Sequence, residues 1–457
     1  MAQNTSSLVI GLIAILALFF FNETWSQPGS CKGKASQTAG LYCNHGANEG
    51  YTLFSVLRGT GVYLIDNDGN LLWEWKEPDN FNGVKILFTE TGTLIRNLCY
   101  DTPKCVGNGA LIREYDWDNN IVWQYYHPGA HHDIVLLPDG RLLLSVILAD
   151  GTESLIKVKP DYKNWNRDWH SIRPGEGGTI EWEWRVKDHV VPAGEDPANY
   201  PELFYVASYK RLNALDFHPL RKEILMSFNS YNELVVIGDT STTQEAAQEY
   251  GNIRYRWGNP ANYNMPGEIK TSGQHNSHWI KESEFGYHYG SDKENGVGDI
   301  LWFNNLHNRV DQIRPPTQGD QHTGEYFLED GIFGPANTSW SYDFQGKFDD
   351  GRQSSAQRLP NGNTLIAFSN QGVFIEITPH GDIVWKYISP FCTSGEGSEP
   401  KTRPDYIRQW NEVSCEELGF LKSGYYFNLT RYSANYAGFR GKSFLSPLKP
   451  LVPVTSN

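Results

Sequence analysis

The sequence predicts an all-β fold, a six-bladed β-propeller with long inter-blade insertions. Two alternating phrases and their turn chemistry carry the prediction. The first phrase is an apolar pair, a turn built on Asp, Asn or Gly, and a tryptophan inside a second apolar run. It reads GVYLIDNDGNLLWEW from Gly61 to Trp75, ALIREYDWDNNIVWQY from Ala110 to Tyr125, and GVFIEITPHGDIVWKY from Gly372 to Tyr387. Looser copies end at Trp182–Trp184, at Tyr255–Trp257 and at Trp340–Tyr342. Repetition of one strand–turn–strand unit along a chain is the signature of a propeller.

Each unit has a local reason to form. Asn67, Asp68 and Gly69 tolerate the positive φ of a tight hairpin turn. Tryptophan and β-branched residues suit a half-buried pleated surface. A single hairpin cannot bury its apolar face, so neighbouring units must stack. The second phrase reads DIVLLPDGRLLLSV from Asp133, ALDFHPLRKEILMSF from Ala214 and AQRLPNGNTLIAFSN from Ala356. Weaker versions start at Val84 and His278, and the run from Tyr51 is a candidate to close the ring. Two hairpins make a four-stranded blade, and six blades of roughly 40–50 residues fill the chain. Uneven spacing places insertions around 160–210, 258–274 and 315–338.

Composition fits a turn-rich β protein. The 457 residues include 44 Gly, 24 Pro and 14% aromatics, ample for a large core. The formal net charge is −14 with no long basic run, which argues against nucleic acid as a partner.

The apolar run Ser7–Phe21 is short for a membrane span and reads as a signal peptide cut before Gln27. No Lys or Arg precedes it, and an uncleaved anchor is the competing reading. The expected organisation is a signal peptide at 1–26, an N-terminal extension at 27–49, a propeller at 50–390, and a C-terminal extension at 391–457 packing back on it. The expected location is secreted or extracellular, periplasmic in a bacterium, with no membrane span after cleavage.

The cysteines fall in local pairs, Cys31 with Cys43, Cys99 with Cys105, and Cys392 with Cys415. An even count in a secreted chain suggests disulfides, although sequence alone leaves the connectivity open. No C-x-x-C occurs, so neither zinc nor thiol-redox chemistry is indicated. Asn337 and Asn428 open glycosylation tripeptides. The stretch DNDGN at 66–70 lacks the downstream bidentate Glu of an EF-hand and already serves as a hairpin turn, so no metal is expected there.

Polar residues precede each second phrase: His131-His132-Asp133, Arg211-Leu212-Asn213, His275-Asn276-Ser277-His278, and Ser354-Ser355-Ala356-Gln357. In a propeller this position opens the innermost strand, so residues far apart in sequence converge on one axis. On a regular strand His275 and His278 face opposite sides, as do His131 and His132, while Arg211 and Asn213 share a face. One histidine from each of two blades, with Arg211 and Asn213, makes a pocket suited to an anionic group. Most of the 13 histidines are expected to be ordinary core or surface residues.

From about Gly50 to Ser446 the chain resembles the aryl-sulfate sulfotransferases. The landmarks are HHDIVLLPDG, GTIEWEWRVKDH, EILMSFNSYNELVVI, IRYRWGNP, GQHNSHWI, SAQRLPNGNTLIAFSNQGVFIEITPHGDIVWKY and RYSANYAGFRGK. That family's six-bladed propellers move a sulfuryl group from an aryl sulfate to a phenol without a nucleotide donor or cofactor. The resemblance implies that His275, in the Gln-His segment, is the nucleophile and carries the group as a sulfohistidine. It implies a supporting histidine at His132, with His131 the alternative by register. Arg211 stands where the family has the histidine of a His-x-Asn pair, of which Asn213 is kept. Asn229 stands where the family has an arginine. Sulfuryl transfer spreads negative charge over three oxygens, and one well-aimed donor is worth about 2.7–4 kcal/mol, so Arg211 is expected to supply the displaced cation. Arginine stays protonated and cannot shuttle a proton, a role left to His278 or His307. The expected partners are therefore small aryl sulfates and phenols. The alternative is a non-catalytic secreted propeller that binds an extracellular or matrix ligand, and a bound chromophore would indicate a quinoprotein instead.

Overall fold

The computed structural model describes residues 31, 39–57, 59–77, 80–99, 110–168, 170–281, 296–319, 323–344, 353–393, 400–401, 422–423, 426, 428–444 and 449–450. Six small antiparallel sheets form a ring, a six-bladed propeller. From the axis outward, blade 1 is Leu429–Tyr432, Tyr51–Ser55, Gly61–Ile65 and Asn70–Lys76. Blade 2 is Phe81–Phe88, Leu94–Cys99, Leu111–Tyr115 and Ile121–Tyr126. Blade 3 is Ala130–Leu136, Leu142–Ile147, Glu153–Pro160 and Gly178–Arg185. Blade 4 is Leu212–His218, Glu223–Phe228, Glu233–Gly238 and Ile253–Trp257. Blade 5 is His275–Trp279, Ile300–Asn304, Arg309–Ile313 and Trp340–Asp343. Blade 6 is Ser355–Arg358, Thr364–Phe368, Val373–Ile377 and Ile383–Ile388, with Gly40–Asn44 added on its outer edge.

The first phrase thus forms the outer hairpins and the second the inner ones. The propeller also draws strands from both flanks of 50–390. Tyr51–Ser55 lies second from the axis, and the closing strand is Leu429–Tyr432, paired antiparallel to it from Tyr51↔Tyr432 to Phe54↔Leu429.

The recurrent tryptophan has a specific job. Its ring fills the gap between blades and its indole N–H donates to the next blade. Trp75 donates to Asp116 O at 3.0 Å, Trp123 to Gly177 O at 2.6 Å and Trp184 to Gly251 O at 2.8 Å. Trp257 donates to Pro335 O at 2.9 Å, Trp340 to Pro379 O at 3.4 Å and Trp385 to Asn67 O at 2.8 Å. The set runs once around the ring. Tryptophan combines a large apolar surface with a donor at its edge.

A second belt of side-chain bonds runs from the inner strands to the neighbouring blades. Asn82 Nδ2 donates to Gly61 O at 2.8 Å, linking blade 2 to blade 1. Asp133 accepts from Leu215 N at 2.9 Å, and Asp216 from Trp279 N at 2.9 Å. Asn276 Oδ1 accepts from Ala356 N at 3.1 Å. Gln357 closes the ring by holding both backbone groups of Arg431, at 3.0 and 2.7 Å. Among the described residues no helix is long and apolar enough to cross a membrane. The run Ser7–Phe21 lies outside the described residues.

Replacing Trp123 or Trp184 by Phe keeps most of the buried ring but strands a carbonyl of the next blade. We expect each to cost about 1–3 kcal/mol in denaturant unfolding. Trp340→Phe should cost clearly less, because that indole is only partly buried and its bond is long. Equal losses at all three positions would show that the donated bond contributes nothing beyond ring volume.

Candidate functional site at the mouth of the axis

The inner strands of blades 3 to 6 open in an unusual way. His132 (φ 47°), Arg211 (φ 62°), Asn276 (φ 55°), Gln353 (φ 61°) and Ser354 (φ 77°) all lie in the left-handed region without being glycine. The pairing register shifts within the inner hairpins of blades 3, 4 and 5 at these points. Non-glycine residues occupy this region at a cost of order 1–3 kcal/mol each, and such strain clusters at functional sites. Its effect here is to swing side chains out of regular alternation.

His275 opens the inner strand of blade 5 and is 8% exposed. Its Nδ1 lies 2.8 Å from Gly273 O and 2.8 Å from Asn305 Oδ1. Both partners are acceptors, so Nδ1 carries the proton and Nε2 carries the lone pair. Asn305 is oriented in turn by its Nδ2, which donates to Gln353 O at 2.7 Å in blade 6. Burial pushes the His275 pKa down to about 4, so the ring is neutral at physiological pH.

His131 and His132 lie on the inner strand of blade 3, and His132 is near enough to His275 and Arg211 to feel their charge. The Nδ1 atoms of His131 and His132 are 2.9 Å apart. His131 is buried, with Nε2 3.1 Å from Glu153 Oε1. His132 is half-buried. Burial lowers its pKa well below the usual histidine value, and the neighbouring His131, His275 and Arg211 act in the same direction. Arg211 is exposed, and its guanidinium makes no ion pair with any described residue. His132, Arg211 and His275 therefore form one cluster fed by three blades, with an available cation and two neutral imidazoles.

The remaining predicted residues are placed as follows. Asn213 is fully buried and donates through Nδ2 to Gln274 O at 2.7 Å. It does not share a face with Arg211, because the register shift between Leu212 and Ala214 breaks the alternation; it clamps blade 4 to blade 5. The strand through His275 and His278 is likewise irregular. His278 lies further along it, with Nδ1 2.8 Å from Asn276 O. Burial lowers its pKa, against the pull of Asp216. Asp216 pairs with Lys281 at 2.9 Å, and Asp133 with Lys85 at 2.8 Å. Asn229 begins the turn after the second strand of blade 4, and its N–H donates to Arg211 O at 3.4 Å. His307 is exposed on the corresponding turn of blade 5, where burial and Arg309 lower its pKa.

Cys31 and Cys43 are joined in a disulfide with a Cα separation of 5.2 Å. Cys99 is disulfide-bonded, while Cys105 and Cys415 lie outside the described residues. Cys392 opens a two-residue strand, Cys392–Thr393. Asn337 is exposed, as an acceptor tripeptide requires. Asn428 is only 7% exposed and immediately precedes the closing strand. That low exposure makes it a poorer acceptor position than Asn337. Among the described residues one His/Cys group has metal-binding proximity, namely Cys31, Cys43 and His45, and its cysteines are oxidised to a disulfide.

Two residues of the cluster were not singled out from the sequence. Asn305 occupies the same place as Asn229 and Ser369, each starting a short 3₁₀ turn that ends in a left-handed residue. That repeat was a usable signal. Glu153 starts the third strand of blade 3 and carries no local sign of its partner.

No protein-family model matches the chain, and no curated protein matches it. Solved structures similar to it include a protein of unknown function from Bacteroides caccae, 12% identical, covering 75% of this chain and 94% of that one with a TM-score of 0.44. A putative 6-phosphogluconolactonase from Bacteroides fragilis is 11% identical, covering 75% and 96% with a TM-score of 0.41. A virginiamycin B lyase from Staphylococcus aureus is 10% identical, covering 76% and 88% with a TM-score of 0.37. Likenesses this distant carry no argument about what the chain does.

The lowered pKa of His275 makes a stability prediction. The unfolded histidine binds a proton below about pH 6.5, whereas the folded one stays neutral down to about 4. The unfolded state thus binds more protons in that window, and stability falls as pH drops through it. The slope from this residue approaches about 1.4 kcal/mol per pH unit. Denaturant unfolding between pH 4.5 and 7.5 should show a shallower slope in His275→Gln than in the wild type. Parallel slopes would mean that His275 is not held neutral.

Proposed function

We propose that this chain is a sulfuryl-transfer enzyme that takes the group from an aryl sulfate and passes it to a phenol through His275. The observation that carries the reading is the double anchoring of His275 Nδ1 on Gly273 O and Asn305 Oδ1. It presents a neutral imidazole with its lone pair on Nε2, beside a cation that no described residue pairs and a second neutral imidazole.

In the first half-reaction the Nε2 lone pair attacks sulfur. The S–O bond to the aryl group breaks, its electron pair leaves on the aryl oxygen, and solvent protonates the phenol. In the second, the acceptor phenol gives its proton to His132 and its oxygen attacks the sulfohistidine. The N–S bond then breaks and its pair returns to Nε2. Arg211 stabilises the charge on the sulfuryl oxygens. The backbone contact between Asn229 and Arg211 supports a local relocation of the cation, since the two substituted positions are neighbours. No cofactor takes part. The Cys31–Cys43 disulfide supports an oxidising compartment, and with the leader-like Ser7–Phe21 run we place the protein outside the cytosol.

Incubation of the protein with an aryl sulfate and a phenol should release the donor's phenol. His275→Ala should abolish the release, and Arg211→Ala should slow it about 10²–10³-fold. Arg211→His with Asn229→Arg should lower activity if the site has been rebuilt around Arg211. An inert wild type that binds sulfated glycans without turnover would replace this reading by that of a binding module.

A further inference from the structure

We infer that Glu153 is a positioning residue which, through His131, fixes the tautomer of His132 so that His132 Nε2 is the base that receives the acceptor's proton. The inference deepens the sulfuryl-transfer reading and rests on it for the identity of the acceptor.

Glu153 is fully buried at the first residue of the third strand of blade 3, opposite Ile147. Blade 4 has the equivalent residue, Glu233, opposite Phe228. Glu233 is neutralised in the ordinary way, by a buried arginine: Arg256 Nε and Nη2 meet its two oxygens at 2.6 and 2.9 Å. Blade 3 has no arginine in that place. Glu153 Oε1 accepts from Leu212 N at 3.0 Å and faces His131 Nε2 at 3.1 Å. Its Oε2 is buried without a hydrogen-bond partner among the described residues. A carboxylate so deeply buried needs a donor or a cation, and His131 is the side chain that faces it. The same fold position therefore faces a buried arginine in blade 4 and a buried imidazole in blade 3.

The proton positions follow from the buried charge. His131 Nε2, like Glu153 Oε2, is buried without a hydrogen-bond partner among the described residues, and Oε1 lies 3.1 Å from Nε2 without hydrogen-bond geometry. It is the adjacent buried carboxylate charge that favours the proton on Nε2. A neutral His131 then has its lone pair on Nδ1, which faces His132 Nδ1 at 2.9 Å. That pairing requires the proton on His132 Nδ1 and leaves the lone pair on its Nε2. When Nε2 takes the acceptor's proton, the His132 cation forms with Nδ1–H already donated to His131. The buried Glu153 charge then stabilises it through one intervening ring. The left-handed backbone at His132 (φ 47°) lets consecutive histidines meet ring to ring, although on a regular strand they would diverge.

The test separates the two half-reactions. Wild type, rapidly mixed with an aryl sulfate, should give a burst of phenol, and added phenol should then sustain turnover. In Glu153→Gln, acceptor-dependent turnover should fall about 10²-fold more than the burst does, the usual contribution of a general base. A nitrophenol acceptor already ionised at the assay pH needs no base and should recover most of that loss. Glu153→Asp, which keeps the carboxylate, should fall between the two. Equal loss with ionised and un-ionised acceptors, or none with either, would overturn the proposal. Nitrogen-15 imidazole spectra of the wild type supply a readout that needs no variant to fold. His132 protonated on Nδ1 at neutral pH is expected, and protonation on Nε2 overturns the relay. A wild type without a burst would sink the sulfuryl-transfer reading alone, and the tautomer spectrum would still decide the relay.

Discussion

The indole N–H donated from each blade to the next is the interaction on which the architecture rests. A propeller blade is a twisted sheet whose two faces must both be covered, and neighbouring blades touch only through side chains. Apolar contact alone leaves such a joint free to slide. A directional bond at its outer margin, repeated around the ring from Trp75 to Trp385, fixes the angle between blades. The inner belt of Asn, Asp and Gln contacts sets the radius. With both margins fixed, the inner strands meet at a defined spacing, and histidines from blades 3 and 5 can share one site.

That rigidity also allows local disorder of conformation where chemistry is needed. Four successive inner strands begin with residues in the left-handed region. Such backbone persists only where its surroundings over-determine it. Here Asn97 Nδ2 holds His132 O at 3.2 Å, and Asn276 is held through Ala356 N. The clamps between blades therefore act twice, as joints of the ring and as supports for the strained residues that aim Arg211, His132 and His275.

The legible part of the molecule was the part written locally. Outer hairpins announced themselves because turn residues and a tryptophan recur at fixed offsets, and their physical cause is local. The closing strand was not legible. Leu429–Tyr432 is four residues long, and its partner was chosen by ring closure rather than by pattern. His275 and His132 could be placed by their position before an apolar run. Asn213 was misaimed because the alternation rule assumes a regular strand, and a register shift intervenes. Glu153 was hidden for a different reason. A glutamate at the start of a strand reads the same whether it meets Arg256, as Glu233 does, or an imidazole. Only the packing of blades distinguishes them.

Closure by Leu429–Tyr432 has a consequence for synthesis. Arg431 and Thr52, which share a hydrogen bond, are 379 residues apart. At ribosomal rates of ~5–20 residues per second, the strand Tyr51–Ser55 waits on the order of 20–80 s for its inner neighbour. Throughout that interval its edge offers unpaired N–H and C=O groups to any passing strand. The nascent chain is thus most exposed to mispairing at its first blade, and that hazard ends only when the last tenth of the protein emerges.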